Sequence, residues 1–149
     1  MNRIVVAMFL IAFGYASAVM VATLVAEGLM LAFGTVIGDP SWLPENPSFG
    51  SFAQIGIAGG MFTAFWGFPG FALAITLAAL SRWRGRLVFT ALGGGNAAFS
   101  LALFGIFVGT PSLPLESGFS LPSLAGGLAG GFVYWSVAGR FVPRREAMA

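Results

Sequence analysis

Residues 123–135 read Ser-Leu-Ala-Gly-Gly-Leu-Ala-Gly-Gly-Phe-Val-Tyr-Trp. Four glycines fall at positions 126, 127, 130 and 131 of a segment otherwise suited to a helix. In water such a helix would be crippled, because each glycine costs about 1 kcal/mol relative to alanine. In a bilayer no water competes for the backbone, and small residues let helices approach closely where burial against lipid gives nothing. The solvent around this segment therefore decides the fold.

Composition identifies that solvent. Of 149 residues, 58% are hydrophobic and 8% are charged, with a mean hydropathy of +0.91. A soluble domain carries about 25% charged residues, so this chain cannot cover its surface with polar groups. An all-α integral membrane protein is expected, with the whole chain, 1–149, as one membrane domain. Cysteine and histidine are absent. Their absence removes disulfides, thiolate nucleophiles and the usual zinc and haem ligands, so neither a metal site nor a cofactor is expected. All seven basic residues are arginine, and Ala and Gly abound, which fits a bacterial gene of high GC content. The start, Met1-Asn-Arg before an apolar run, resembles a signal peptide with small residues at Ala16-Ser17-Ala18. The run continues to Gly38, which predicts an uncleaved membrane anchor.

A transmembrane helix needs about 20 apolar residues. Four stretches qualify: 4–38, 51–80, 87–109 and 121–141. Outer loops are expected at 39–50 and 110–120, and a cytoplasmic loop at 81–86. Arg3, Arg82, Arg84, Arg86, Arg140, Arg144 and Arg145 then share one side, while Asp39, Glu45 and Glu116 lie on the other. The positive-inside rule puts both termini in the cytoplasm, so a bacterial inner membrane is the expected location. Arg82-Trp-Arg-Gly-Arg serves as a topology anchor with Trp83 at the interface. Three charges are too sparse a cluster for a nucleic-acid patch.

The chain repeats itself. A shift of 71 residues aligns Phe33-Gly-Thr-Val-Ile-Gly-Asp-Pro-Ser with Phe104-Gly-Ile-Phe-Val-Gly-Thr-Pro-Ser, and later Ala58-Gly-Gly with Ala129-Gly-Gly. Residues 33–60 match 104–131 at 10 of 28 positions. Each unit is a helix, a proline-rich loop and a second helix, so two tandem hairpins run in the same orientation. Gly126, Gly127, Gly130 and Gly131 on the fourth span, Gly56 and Gly60 on the second, and Gly105 and Gly109 on the third give small-xxx-small packing faces. Pro69 removes a backbone donor and predicts a kink in the second span.

Glu27 is the most informative polar residue. Counted from Arg3 it lies about 36 Å along the helix, near the outer surface. Counted back from Gly38 it lies about 16 Å deep, and the repeat supports this second count. An ionised carboxylate in lipid is costly, so it is protonated, paired or functional. A proton- or cation-coupling site would group Glu27 with Asn96, which the repeat sets at nearly the same depth, and with Thr23. On their own, Asn96 and Gln54 read as interhelical hydrogen-bonding groups. Tyr15 needs a partner for its hydroxyl or an interface.

No nucleophile–base set, phosphate-binding loop or soluble domain is visible, so an enzyme is not expected. Two functions fit. One is an accessory or assembly subunit packing into a larger membrane complex. The other is a small oligomeric transporter or channel using Glu27. The first is favoured, because the spans carry few polar groups to line a substrate path. The expected partners are the lipid bilayer and a membrane protein or further copies of the chain; nucleic acid is not among them.

Overall fold

The structure is a computed structural model that describes residues 3–37, 48–81, 83–109 and 120–139. These form four α-helices: α1 (Arg3–Ile37), α2 (Phe49–Leu80), α3 (Arg86–Val108) and α4 (Ser120–Val137). Three of them are long and apolar enough to cross a membrane: α1 over Val5–Gly34, α2 and α3. The glycine-diluted α4, 18 residues long, is not in that set. At 1.5 Å per residue α1 and α2 run about 50 Å, against about 35 Å for α3 and about 27 Å for α4. The first two helices therefore overreach the last two.

Local chemistry sets the described helix ends. Ser48 caps α2 by accepting from Ser51 N at 3.1 Å, while its own N–H donates to Ser51 Oγ at 2.9 Å. Two donors that the first turn would leave orphaned are thereby satisfied. At the far end of α3, Gly109 adopts φ 78°, left-handed geometry that carries a steric cost for residues with a Cβ. Among the described residues a side chain at 109 would meet nothing within 4 Å. Gly109 thus departs from the expectation of a packing glycine; its backbone conformation explains it. Gly105, one turn earlier, is buried. The helix α2 remains helical through Pro69.

The helices form a ring. The most extensive contacts are those of α4 with α1 on one side and α3 on the other. The longer α2 touches the same two neighbours more sparingly, across the ring from α4. Backbones meet closely along α4. A side chain added at Gly126 would run into Ala22 O of α1, and one at Gly130 would stand 2.8 Å from Ala18 O. One at Gly127 or Gly131 would strike the α3 backbone at Gly93 and Phe89 respectively. One end of the bundle is closed by a core of Ala78, Phe89, Tyr134 and Ala138, with Phe71 and Trp135 packed on it. The Tyr134 ring meets Phe71 edge-on at 5.1 Å and lies above Gly14, where a methyl would come to 3.1 Å of the ring.

Candidate functional site

Two polar clusters sit on α2 at different levels. The first faces α1. Thr23 and Glu27 are one turn apart, so both project from the same side of α1 towards the glycines of α2. A side chain at Gly59 would overlap Glu27 Oε1, and one at Gly56 would stand 3.4 Å from Glu27 Oε2. Thr23 Cγ2 flanks the same site, 3.5 Å from where a Gly59 Cβ would be. Glu27 Oε1 and Thr23 Oγ1 are both buried and neither has a hydrogen-bond partner among the described residues; Thr23 is 5% exposed. Each unsatisfied polar atom is costly in an apolar setting. Gly56 and Gly60 also line a groove of about 430 Å³ between α1 and α2, walled by Met20, Leu24, Ile57 and Met61.

The second cluster surrounds the turn before Pro69. Proline has no N–H, so Phe65 O lacks its i+4 donor, and the ring crowds the preceding carbonyls. Three side chains from neighbouring helices supply donors to that turn. Tyr15 of α1 donates to Ala64 O at 2.6 Å, Ser100 of α3 to Trp66 O at 3.1 Å, and Asn96 of α3 to Gly67 O at 3.1 Å. Asn96 therefore makes the interhelical bond its chemistry suggested, and Tyr15 finds its partner inside the bundle. Asn96 Oδ1 lies over Gly70, buried and unpartnered. Ser100, absent from the sequence-derived candidates, shares its one hydroxyl proton between Trp66 O and Asn96 O, the latter at 2.7 Å. Its spacing of four from Asn96 was the available signal, since both must share one face.

The structure thus joins Thr23 to Glu27 and separates Asn96 from them. Their contact glycines on α2, Gly59 and Gly70, are eleven residues apart, about 16 Å along the helix. The shared depth expected for Glu27 and Asn96 does not bring them to one turn of α2: Asn96 reaches the turn that Tyr15 of α1 also reaches, away from Glu27. The second cluster borders a cavity of about 140 Å³ lined by all four helices, mostly by Ala, Gly and aromatic side chains, with Asn96, Ser100, Thr63, Ser123 and the two tyrosines, Tyr15 and Tyr134, as polar groups. That volume suits a small, largely apolar guest or a few waters near the polar groups.

Of the expected anchors, Arg84 and Arg86 are exposed at the start of α3, where Trp135 Nε1 donates to Arg84 O at 2.9 Å. Arg82, Arg140, Arg144 and Arg145 lie outside the described residues, as do Asp39, Glu45 and Glu116.

Fold and site define a class: a helical bundle with apolar helices compatible with membrane spans, with one carboxyl oxygen and one hydroxyl buried between two of them. Comparison with protein-family models, with curated proteins and with solved structures gives no significant match to this chain.

Proposed function

We propose that the chain is a small, non-enzymatic subunit of a larger complex in a bacterial cytoplasmic membrane. The observation that carries this reading is the open α1–α2 groove. Its floor holds Gly56 and Gly60, and its walls present Met20, Leu24, Ile57 and Met61, all at least 61% exposed. A glycine floor between apolar walls suits close approach of another helix more than contact with lipid chains. The overreach of α1 and α2 adds apolar surface at the same hairpin, which needs a neighbour, tilt or lipid to cover it.

In this reading α4 is a fourth span, about 27 Å long against a hydrocarbon core of about 30 Å. Both termini are then cytoplasmic with all seven arginines, as the positive-inside rule requires. Duplication of a hairpin is supported by contacts as well as by identities. Gly126 meets Ala22 and Ala26 of α1, while Gly127 meets Gly93 and Ala97 of α3. Each of those α3 residues is 71 positions beyond its α1 counterpart, the offset of the sequence repeat. Adjacent glycine ridges on α4 are thereby matched to equivalent positions of the two units, which supports glycine-mediated packing within the bundle. The test is purification of the tagged chain from native membranes in mild detergent. A stoichiometric, larger membrane protein is expected alongside it.

A second function, proton- or cation-coupled transport by a homo-oligomer, is favoured by one observation: the unpartnered Glu27 Oε1. An ionisable residue within a span is costly to keep and marks proton or ion paths in membrane proteins. Uptake lost in Glu27→Gln and varying with pH would support it.

A further inference from the structure

We infer that the cavity lined by all four helices is a binding site for a small neutral alcohol or phenol. Thr63, Ser100 and Ser123 hold its hydroxyl, and its apolar body lies towards Phe71, Phe89 and Tyr134. The site stands apart from the subunit reading and from Glu27, which does not line it.

The register of the helices gathers three hydroxyls at one end of the cavity. Gly127 of α4 meets Ala97 of α3, and Gly131 meets Phe89 and Gly93, so a turn forward along α4 matches a turn back along α3. Ser123 therefore comes opposite Leu101, beside Ser100. Thr63 lies three residues, about 4.5 Å, before Trp66, whose carbonyl accepts from Ser100. Ser100 gives its proton to backbone carbonyls, which leaves the lone pairs of its oxygen open to a donor. Thr63 and Ser123 make no hydrogen bond among the described residues, and their oxygens, unlike Thr23 Oγ1, are not sealed from a guest.

Rings wall the other end. Tyr134, about 16 Å along α4 from Ser123, meets Phe71 edge-on at 5.1 Å and Phe89 at 5.7 Å. No lining residue carries a charge, so an ion would be left unpaired there at large cost. Water needs two to four polar partners, and the ring-walled end offers little beyond the Tyr134 hydroxyl. At about 140 Å³ the space is close to the ~150 Å³ that admits benzene in a wholly apolar cavity, which limits the guest to about six to eight heavy atoms. A hydroxyl joined to one ring or a short chain fits both ends. It donates to an oxygen of Thr63, Ser100 or Ser123, and its body packs on the ring edges. Because α2 touches α1 and α3 only sparingly, such a molecule enters from the lipid beside α2.

Binding of para-fluorophenol to the full tagged chain in lipid nanodiscs, read by fluorine NMR, tests this. Fluorobenzene is the apolar comparison, and empty nanodiscs correct for partition into lipid. The expected result is saturable binding of para-fluorophenol at one site per chain, about fivefold or more tighter than fluorobenzene. Thr63→Val keeps the shape of the side chain and should weaken para-fluorophenol about threefold or more, with fluorobenzene little changed. Ser123→Ala gives the same readout if Thr63→Val fails to fold. Ala74→Leu, which fills the cavity from α2, should abolish saturable binding of both compounds. Absence of saturable binding beyond empty nanodiscs overturns the site. Fluorobenzene binding as tightly as para-fluorophenol, or affinity indifferent to both hydroxyl variants, overturns the assignment of an alcohol. Binding that survives Ala74→Leu puts the compound elsewhere and overturns the cavity as its place.

Discussion

Glu27 Oε1 of α1 fills the space that a side chain at Gly59 of α2 would need. A carboxyl and a glycine are thus matched across a helix interface, and Thr23 completes the fit beside them. Substitution at either position should therefore depend on the other. Gly59→Ala forces the carboxyl out of a buried position and is expected to cost about 1–3 kcal/mol, the usual penalty of overpacking. In a Glu27→Ala background the same change should cost less than about 0.5 kcal/mol, a near-neutral outcome for a site with room. Unfolding in mixed micelles by denaturing detergent measures both, and equal costs in the two backgrounds would refute the match.

The closest backbone approach along α4 yields a contrast between neighbouring residues. A side chain at Gly93 would run into Gly127 O, whereas one at Gly95 meets nothing within 4 Å. Gly93→Ala should destabilise the bundle by about 1–3 kcal/mol. Gly95→Ala should be neutral, or stabilising by up to about 1 kcal/mol through helix propensity. The same unfolding assay reads the pair, and a larger loss at 95 than at 93 would be inconsistent with the packing described.

Gly109 is needed for its backbone. With φ 78° and no described residue close by, Gly109→Ala is expected to cost about 1–2 kcal/mol, the penalty of left-handed geometry in a residue with a Cβ. Gly109→Asn should retain most of the stability, since Asn tolerates that conformation. Equal stability of Ala and Asn variants would point to a different role.

The turn before Pro69 couples three helices. Asn96→Leu removes the donor to Gly67 O and is expected to cost about 0.6–2 kcal/mol, the range for interhelical hydrogen bonds in membranes. Pro69→Ala returns a donor to Phe65 O and removes the ring that crowds the turn braced by Asn96, which should reduce that cost, giving a coupling of about 0.5 kcal/mol or more in a double-mutant cycle. Strict additivity would show that Asn96 is indifferent to the proline.

How much of this could be read from the sequence follows from what each feature depends on. The four helices were legible because apolar runs of spanning length, broken by Pro, Gly and charge, leave the backbone little alternative in lipid. The glycine stripe of α4 was legible as a face, with four small residues in six positions. Which helices they meet was not, since a stripe names a face and says nothing of its partner. The i, i+4 relation put Thr23 beside Glu27 in principle. Their fit to Gly56 and Gly59, however, depends on the register of α2, which no local pattern encodes. That register also explains why Asn96, matched in depth through the repeat, contacts a turn of α2 about 16 Å from the carboxyl. Gly109 was misread because spacing from Gly105 imitates a packing motif, while its φ is a property of the helix end.

The central claim, that this chain is one subunit of a larger membrane assembly, is tested most directly by the mass and composition of the native complex in mild detergent. The account predicts the 15.5 kDa chain in fixed stoichiometry with a larger, different membrane protein. A particle whose mass is a whole multiple of this chain alone would contradict it.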